Sequence, residues 1–360
     1  IVYVYSLMGV PGKIFLEKYL ENPKHLEVQL LGDNYGNLVH LYERDCSVQR
    51  RFQKVVEVAP SIGLKDSTRE DIYQYALAIA RQVDYNNVGT VEFLVDQQEN
   101  IFFIEVNPRI QVEHTVTEMI TGIDLVKTQI MIAKGLPIHS AEIAIPPQDE
   151  IMKVGVALQC RITTEDPKND FRPDYGTIIA YRSASGFGIR LDGGSIYPGV
   201  KVSPFFDSLL VKVSSQAVDL ESACRKMVRA LREFRVRGVK TNMPFLENIL
   251  QHPTFTSGKA TVNFVGDTKE LFQFPARLDR GTRVLRYLAE VTVNGNPDVR
   301  YYDPNRKFVK PVVPEASEGK PAEGTKDLLD KLGPEKFAEW LQKEKKIHYT
   351  DTTLRDAHQS

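Results

Sequence analysis

Alternating apolar and polar residues dominate the first third of the chain and predict paired β-strands. Residues 24–30 alternate with the two-residue period of a half-buried strand. A turn cluster at 33–37 separates this run from a second one at 38–42, which predicts a β-hairpin. The runs at 90–95 and 101–106 are joined by a short polar turn and predict a second hairpin.

Three other stretches carry apolar residues at the three- and four-residue spacing of a helix. The first begins at Ser67, which forms the capping-box pattern with Glu70. The second covers residues 119–134 and is stopped by Gly135. The third covers residues 219–235. Strands and helices together predict an α+β fold.

The composition narrows the class of protein. The chain has 360 residues, of which 42% are hydrophobic and 26% charged, as is typical of a globular protein with two or three domains. A net charge of -1 favours no nucleic acid partner, and no apolar run is long enough to span a membrane. Three separated cysteines fit a reducing compartment. We therefore expect a cytoplasmic protein, or a mitochondrial matrix protein in a eukaryote. Because the chain begins without Met, we interpret it as a piece of something longer.

The second hairpin places two acidic residues opposite each other. In the register that pairs Phe93 with Ile104 on the apolar face, Glu92 lies opposite Glu105. Two carboxylates this close are destabilising unless a cation lies between them, and oxygen ligands suit Mg²⁺ or Mn²⁺. Asn107 could add a neutral oxygen. The alternative is a solvated strand face with two unrelated glutamates, and the residues alone leave both interpretations open.

Two further polar runs are candidates for anion binding. In the run 109–114, Arg109 could hold a planar anion and Glu113 could act as a general base. The alternative is a charged surface loop with Arg109 and Glu113 as an i,i+4 pair. The run 43–54 carries four cationic side chains that could hold phosphate or bicarbonate. Taken alone, this charged run is more typical of a solvated protein surface than of an anion site.

Taken together, these segments resemble a biotin carboxylase, a family with the ATP-grasp fold. The resemblance covers roughly residues 14–270 and rests on the order and spacing of the motifs. The motifs are Glu17–Leu20, His25–Gln29, Glu43–Lys54, Gly89–Phe93 and Glu105–His114. The resemblance implies an ATP-grasp fold with central and C-terminal subdomains.

The resemblance implies a role for each residue at a matching position. The residues that would hold ATP are Glu17, Lys18, Leu20, His25 and Gln49. The residues that would hold Mg²⁺ or Mn²⁺ are Glu92, Glu105 and Asn107. The groups that would hold bicarbonate are the side chains of Lys54, Arg109 and Gln111 and the backbone of Val112. Glu113 would take the proton of bicarbonate, and Arg161 would face the enolate of biotin.

The last residues resemble the first strand of a carboxyltransferase TIM barrel of the pyruvate carboxylase family. By that resemblance Asp356 would ligate a divalent metal, Mn²⁺ or Zn²⁺, while Arg355 and Gln359 would contact pyruvate. The alternative for this fragment alone is an ordinary loop rich in Asp and Arg. The chain is then predicted to contain the ATP-grasp central part at 1–135, the biotin carboxylase C-terminal subdomain at 136–275, a connector at 276–346 and the barrel start at 347–360.

The implied activity is ATP- and bicarbonate-dependent carboxylation of biotin, which is carried on a domain outside this chain. Transfer to pyruvate would then give oxaloacetate, in a homotetramer. The alternatives are another ATP-grasp ligase such as carbamoyl-phosphate synthetase, the biotin carboxylase component of an acyl-CoA carboxylase, or a silent assembly or nucleotide-sensing fragment. Phe52 stands where many relatives have His. The family's glycine-rich lid and N-terminal subdomain have no counterpart, so we expect the chain to be incomplete for turnover.

Overall fold

The computed structural model describes residues 18–194, 196–203, 208–274, 280–296 and 323–344. The chain divides into two compact units, residues 1–276 and residues 277–360. The predictions on Glu17 and on the last segment, with Arg355, Asp356 and Gln359, lie outside the described residues. The finer domain boundaries stay predictions.

The described strands all lie in the first unit. They are β1 (Lys24–Gly32), β2 (Leu38–Arg50), β3 (Gln53–Ala59), β4 (Asn87–Val95), β5 (Ile101–Asn107), β6 (Val156–Thr163), β7 (Glu165–Asp166), β8 (Arg172–Pro173), β9 (Gly176–Thr177), β10 (Ala180–Arg182), β11 (Ile189–Gly193), β12 (Lys201–Val202), β13 (Leu209–Ala217) and β14 (Arg235–Arg237). Eight of them form an antiparallel sheet in the order β11-β13-β6-β3-β2-β1-β4-β5.

The described α-helices lie in both units. In the first they are α1 (Asp66–Gln82), α2 (His114–Thr121), α3 (Leu125–Ala133), α4 (Leu220–Glu233), α5 (Met243–Gln251), α6 (Pro253–Thr256) and α7 (Phe264–Asp267). Short 3₁₀ helices cover Gln148–Glu150, Pro167–Asn169 and Lys269–Phe272. In the second unit they are α8 (Arg280–Asn294) and α9 (Thr325–Lys343), the latter kinked at Gly333 before Pro334.

The first predicted hairpin is present, and its second strand is longer than the apolar run alone indicates. Asp33 orders the turn by accepting hydrogen bonds from the backbone of Tyr35 (2.8 Å) and Asn37 (3.0 Å). Strand β2 continues past residue 42 because a bulge at Tyr42, which has φ 68°, keeps the chain paired with β1. The charged run therefore lies inside the sheet.

The structure corrects two helix predictions. Helix α1 begins at Asp66 after Lys65, so Ser67 lies inside the first turn and the predicted capping box is wrong. The single helix predicted over 119–134 is two helices, since Gly122 adopts a left-handed conformation (φ 73°) at the end of α2. Asp124 then caps α3 by accepting a hydrogen bond from Lys127 N at 2.8 Å.

Apolar packing covers one face of the sheet and leaves a polar row on the other. Leu26 and Val28 of β1 and Val91 of β4 are buried under α1. Successive strand residues point to opposite faces, so Glu27 and Glu92 project away from α1. A separate core lies around β6, β13, α4 and α5. Among the described helices, none is both long enough and apolar enough to cross a lipid bilayer.

Candidate active site

The polar row is assembled by strand register. Glu27 of β1 pairs with Arg44 of β2 on one side and with Glu92 of β4 on the other. Glu92 pairs in turn with Glu105 of β5, which is the pairing expected from the sequence. A bulge follows, so Phe103 rather than Ile104 lies opposite Phe93 and Ile104 is exposed. The bulge corrects the predicted apolar register but leaves the two glutamates adjacent.

Lys54 lies at the centre of the row. Its ammonium Nζ lies 2.5 Å from Glu27 Oε2, 2.6 Å from Glu113 Oε1 and 3.4 Å from Glu92 Oε1. Burial alone would lower the pKa of Lys54, but the surrounding acidic groups raise it above its usual value. Lys54 is therefore a fixed positive charge shared by three carboxylates.

Arg44 lies behind Lys54 with no exposed surface. It donates from Nε to Glu27 Oε1 at 2.5 Å and from Nη2 to Gln111 Oε1 at 2.8 Å. Burial opposes ionisation of Glu27, but Arg44 and Lys54 outweigh it and lower the pKa of this carboxyl to about 2. The charge run that alone favoured a solvated face is thus partly buried: the sheet covers Arg44 and Glu43, while Arg51 stays exposed.

The Glu92 carboxylate is saturated by hydrogen bonds. Its Oε2 lies 2.6 Å from His25 Nε2, and its Oε1 accepts from Gln111 Nε2 at 2.6 Å and from Asn107 Nδ2 at 2.9 Å. Burial would raise its pKa, but the bonds from His25 and the charge of Lys54 lower it to about 2. Glu92 is therefore ionised throughout the range in which proteins are usually stable.

The oxygens of Glu92 and Glu105 converge on one point, which the Asn107 amide occupies. Asn107 Nδ2 donates to Glu92 Oε1 at 2.9 Å and to Glu105 Oε1 at 3.0 Å. Nitrogen and oxygen of an amide are assigned from such bonds, and a half-turn of the group would present Oδ1 instead. Three oxygens would then face the same point, so this donor set fits a hard divalent cation.

Glu113 is held between two cations at the start of α2. Its Oε1 binds Lys54, and its Oε2 accepts from Arg161 Nη2 at 3.1 Å. Arg161 also donates from Nε to Glu57 Oε1 at 2.7 Å. Glu57 is buried, and burial raises its pKa, although Arg161 opposes the shift. The base candidate and Arg161 are thus fixed by the same network.

The expected nucleotide residues are only partly joined to this network. His25 connects Glu92 to Gln49, whose Nε2 lies 2.6 Å from His25 Nδ1. Lys18 lies over the ring of Phe102 at 4.9 Å, and Leu20 is half-buried. The described contacts of Lys18 and Leu20 include none with the three carboxylates that surround Lys54.

The two remaining bicarbonate candidates lie at the exposed side. Arg109 donates to Asn107 Oδ1 at 3.3 Å and to the carbonyl of Ile110 at 3.2 Å, so it does not pair with Glu113. Val112 is exposed, and its carbonyl accepts a hydrogen bond from Lys212 Nζ at 3.0 Å. Lys212 lies opposite Arg161 in the strand register.

Sequence reasoning missed Glu27, Arg44, Glu57 and Lys212 as parts of the site. The available signal was alternation, since His25, Glu27 and Gln29 occupy the polar positions of β1. The structure also groups His25, Glu27 and Glu92, and separately Glu27, Cys46 and Glu113, within metal-ligating distance of one another. Glu27 belongs to both groups and already binds Lys54 at 2.5 Å, so the edge at Glu105, which has no described contact with Lys54, fits a metal better.

Two protein-family models match the chain. Residues 8–141 match the ATP-binding domain of the carbamoyl-phosphate synthase L chain. This match begins before residue 14, where the motif resemblance begins. Residues 159–267 match the biotin carboxylase C-terminal domain. The chain has the ATP-grasp fold of a biotin carboxylase. The two matched regions supply the two halves of the site, with Glu92 and Glu113 in the first and Arg161 in the second.

Several curated relatives of the chain are named pyruvate carboxylase. The enzyme of Staphylococcus aureus is 55% identical over 351 residues, which cover 97% of this chain and 30% of that protein. The enzyme of Bacillus subtilis is 54% identical over 349 residues, with the same coverage. The chain thus spans about 30% of the length of the curated relatives it matches.

Solved structures give the same result. The complete multifunctional pyruvate carboxylase of Rhizobium etli is 53% identical, with a TM-score of 0.74 over 96% of this chain and 32% of that one. The biotin carboxylase domain of Hydrogenobacter thermophilus 2-oxoglutarate carboxylase, in complex with MgADP and bicarbonate, is 45% identical. Its TM-score is 0.68 over 72% of this chain and 56% of that one.

Proposed function

We propose that this chain carries out the ATP- and bicarbonate-dependent carboxylation of biotin. The observation that carries the proposal is the position of Glu113, held by Lys54 and Arg161 beside the paired carboxylates of Glu92 and Glu105. A base, two cations and an oxygen-rich cation site are the groups needed to deprotonate bicarbonate and phosphorylate it.

Glu113 acts as the base. Lys54 and Arg109 hold the bicarbonate anion, with Gln111 and the backbone of Val112 completing its binding. One carboxylate oxygen of Glu113 releases its cationic partner, Lys54 or Arg161, and binds the hydroxyl of bicarbonate instead. That oxygen then accepts the hydroxyl proton. The deprotonated oxygen attacks the γ-phosphorus of ATP, which gives carboxyphosphate and releases ADP. Lys54 then offsets the charge that develops on the transferring phosphoryl group.

Glu92, Glu105 and, after a half-turn of its amide, Asn107 would hold a divalent cation, Mg²⁺ or Mn²⁺. When bound, this cation neutralises the phosphate oxygens of ATP. The residues expected to hold the nucleotide itself are Glu17, Lys18, Leu20, His25 and Gln49. His25 also fixes Glu92, since its Nε2 lies 2.6 Å from Glu92 Oε2.

Arg161 prepares the site for biotin. Glu57 binds the guanidinium, so the planar fork is fixed before any ligand enters. Carboxyphosphate breaks down to CO₂ and phosphate, and the phosphate takes the N1 proton of biotin. The resulting enolate attacks CO₂ through its N1, which gives carboxybiotin. Arg161 holds negative charge at the ureido oxygen, and its second partner, Glu113, lies within hydrogen-bond distance. The base Glu113 and the cation Arg161 therefore line the same binding site.

The complete protein is proposed to pass the carboxyl group from its biotin carrier domain to pyruvate, which gives oxaloacetate. Asp356 would ligate Mn²⁺ or Zn²⁺ in the carboxyltransferase barrel, and Arg355 and Gln359 would contact pyruvate. We propose a homotetramer, in the cytoplasm or in the mitochondrial matrix of a eukaryote. The support is the likeness to pyruvate carboxylases along the chain, and one relative from mouse is named as mitochondrial.

The test is ADP release by the purified complete enzyme with ATP, Mg²⁺, bicarbonate and free biotin. We expect release to require bicarbonate and to increase with biotin. Absence of bicarbonate-dependent release, together with absence of ATP binding by calorimetry, would favour a silent assembly part. Pyruvate, 2-oxoglutarate and acetyl-CoA are then compared as acceptors. Asp356→Ala should spare biotin-dependent ATP cleavage and abolish transfer to pyruvate.

A further inference from the structure

Arg44 is a fully buried cation that no step of the proposed reaction uses. All five of its N–H groups have a partner in the structure, which is the full donor capacity of a guanidinium. The acceptors are Glu27 Oε1 (2.5 Å), Gln29 Oε1 (2.7 Å), Thr117 Oγ1 (3.0 Å), Thr90 Oγ1 (3.3 Å) and Gln111 Oε1 (2.8 Å). Such complete pairing leaves the side chain a single orientation.

Two of these partners reach the reacting groups directly. Glu27 uses its other oxygen to bind Lys54 Nζ at 2.5 Å. Gln111 uses its amide nitrogen to bind Glu92 Oε1 at 2.6 Å. Arg44 thus fixes which atom each partner presents, since its own N–H groups hold the opposite oxygen of Glu27 and the carbonyl oxygen of Gln111. Without Arg44, Gln111 Oε1 would lose this donor.

We propose that Arg44 is a positioning residue for bicarbonate, acting through Glu27 on Lys54 and through Gln111. The inference rests on the proposed function, which assigns Lys54 and Gln111 to that anion. The other three partners, Gln29, Thr90 and Thr117, anchor the guanidinium to β1, β4 and α2. Through Arg44, the positions of Lys54 and Gln111 thus depend on three separate elements of the fold.

The network predicts selectivity between the two substrates. Lys18 and Leu20, on the nucleotide side, make no described contact with Arg44 or with its five partners. Because Gln111 also binds Glu92 of the proposed cation site, a disturbance at Arg44 should raise the KM for bicarbonate by a larger factor than the KM for ATP. A purely structural role would instead reduce the active fraction of enzyme and lower kcat with both KM values unchanged.

The test compares variants of the complete enzyme in the bicarbonate-dependent ATP cleavage assay. Arg44→Lys keeps the charge and loses the planar fork, and it should raise the KM for bicarbonate by about tenfold or more. Thr117→Val removes one acceptor of Arg44 at a residue outside the reacting groups, with an expected increase of about threefold to tenfold. Thr121→Val is the matched control, because its hydroxyl bonds the Thr117 carbonyl in the same helix and does not touch Arg44.

A selective increase for bicarbonate in Thr117→Val, absent in Thr121→Val, supports the proposal. Equal behaviour of the two threonine variants, or parallel increases in both KM values, overturns it. If Arg44→Lys does not fold, as judged by circular dichroism, the threonine pair decides alone. A wild-type enzyme without bicarbonate-dependent cleavage would instead refute the proposed function.

Discussion

The buried floor of the site and its exposed rim hold their charges in different ways. The floor comprises Glu27, Arg44, Lys54, Glu57, Glu92, Glu113 and Arg161, and each of its carboxylates binds a cation of the floor at 2.5–3.4 Å. The rim comprises Glu105, Asn107 and Arg109, where the Asn107 amide lies between the carboxylates of Glu105 and Glu92. Each floor carboxylate thus has a cationic partner before any ligand binds, whereas none of the described ion pairs involves Glu105.

This difference follows from solvent access. A buried charge without a partner costs several kcal/mol, so the floor must be paired in the folded chain itself. An exposed glutamate is stabilised by water and needs no charged partner before a metal binds. At the floor, bicarbonate should therefore replace existing partners of the charged groups. At the rim, a divalent cation should bind without displacing a cation. Substitutions at the floor should affect both activity and stability, and those at the rim mainly metal dependence.

The largest expected effect is that of Glu113→Ala. Removal of the base from the floor should reduce bicarbonate-dependent ATP cleavage by roughly 10²–10⁴-fold, the usual contribution of a general base. The measurement is the steady-state rate of ADP release in the complete enzyme, with Glu118→Ala, five residues further along α2, as the comparison. Retention of normal bicarbonate-dependent cleavage would remove Glu113 from the mechanism.

The next effect compares floor and rim at the metal site. Glu92→Gln and Glu105→Gln should each raise the Mg²⁺ concentration for half-maximal ATP cleavage by roughly tenfold or more. Only Glu92→Gln should also lower the free energy of unfolding, because Glu92 is buried and bonded to His25 and Lys54. Urea unfolding of both variants measures this difference. Normal Mg²⁺ dependence in both variants would show that the site is elsewhere.

Acid stability should report on Glu92. The folded pKa of Glu92 is about 2, below its usual 4.5, so its carboxylate contributes stability above the unfolded pKa. That contribution should disappear as pH falls from about 4.5 towards 2, since the unfolded chain binds a proton first. Glu92→Gln should therefore flatten this part of the stability curve, as measured by urea unfolding at several pH values. A variant whose curve still follows that of the wild type would contradict the assignment.

The smallest expected effect concerns the Lys212 contact with the loop. Lys212→Met removes the bond to the Val112 carbonyl and should raise the KM for bicarbonate by about threefold. Lys226→Met is the matched control, because Lys226 also donates to a backbone carbonyl, that of Gln216, at 2.6 Å. Equal values for the two lysine variants would show that the Val112 contact does not position bicarbonate.

The sequence predicts the rim better than the floor, for a physical reason. The Glu92–Glu105 pairing follows from strand period and turn position, which are local properties. The pairing of Arg44 depends on Thr90, Gln111 and Thr117, which lie 46–73 residues away along the chain. Likewise, the break at Gly122 depends on one glycine in a left-handed conformation. Apolar spacing alone does not report it.

The central claim is that Glu113 and Arg161 act at successive steps. The measurement that tests it most directly is the ratio of carboxybiotin formed to ADP released in Glu113→Ala and Arg161→Gln of the complete enzyme. We expect Glu113→Ala to suppress ATP cleavage itself. Arg161→Gln should retain more uncoupled ATP cleavage while carboxybiotin falls further, so its ratio drops below that of the wild type. If Arg161→Gln lowers both products in step and Glu113→Ala leaves ATP cleavage intact, the two assignments are wrong.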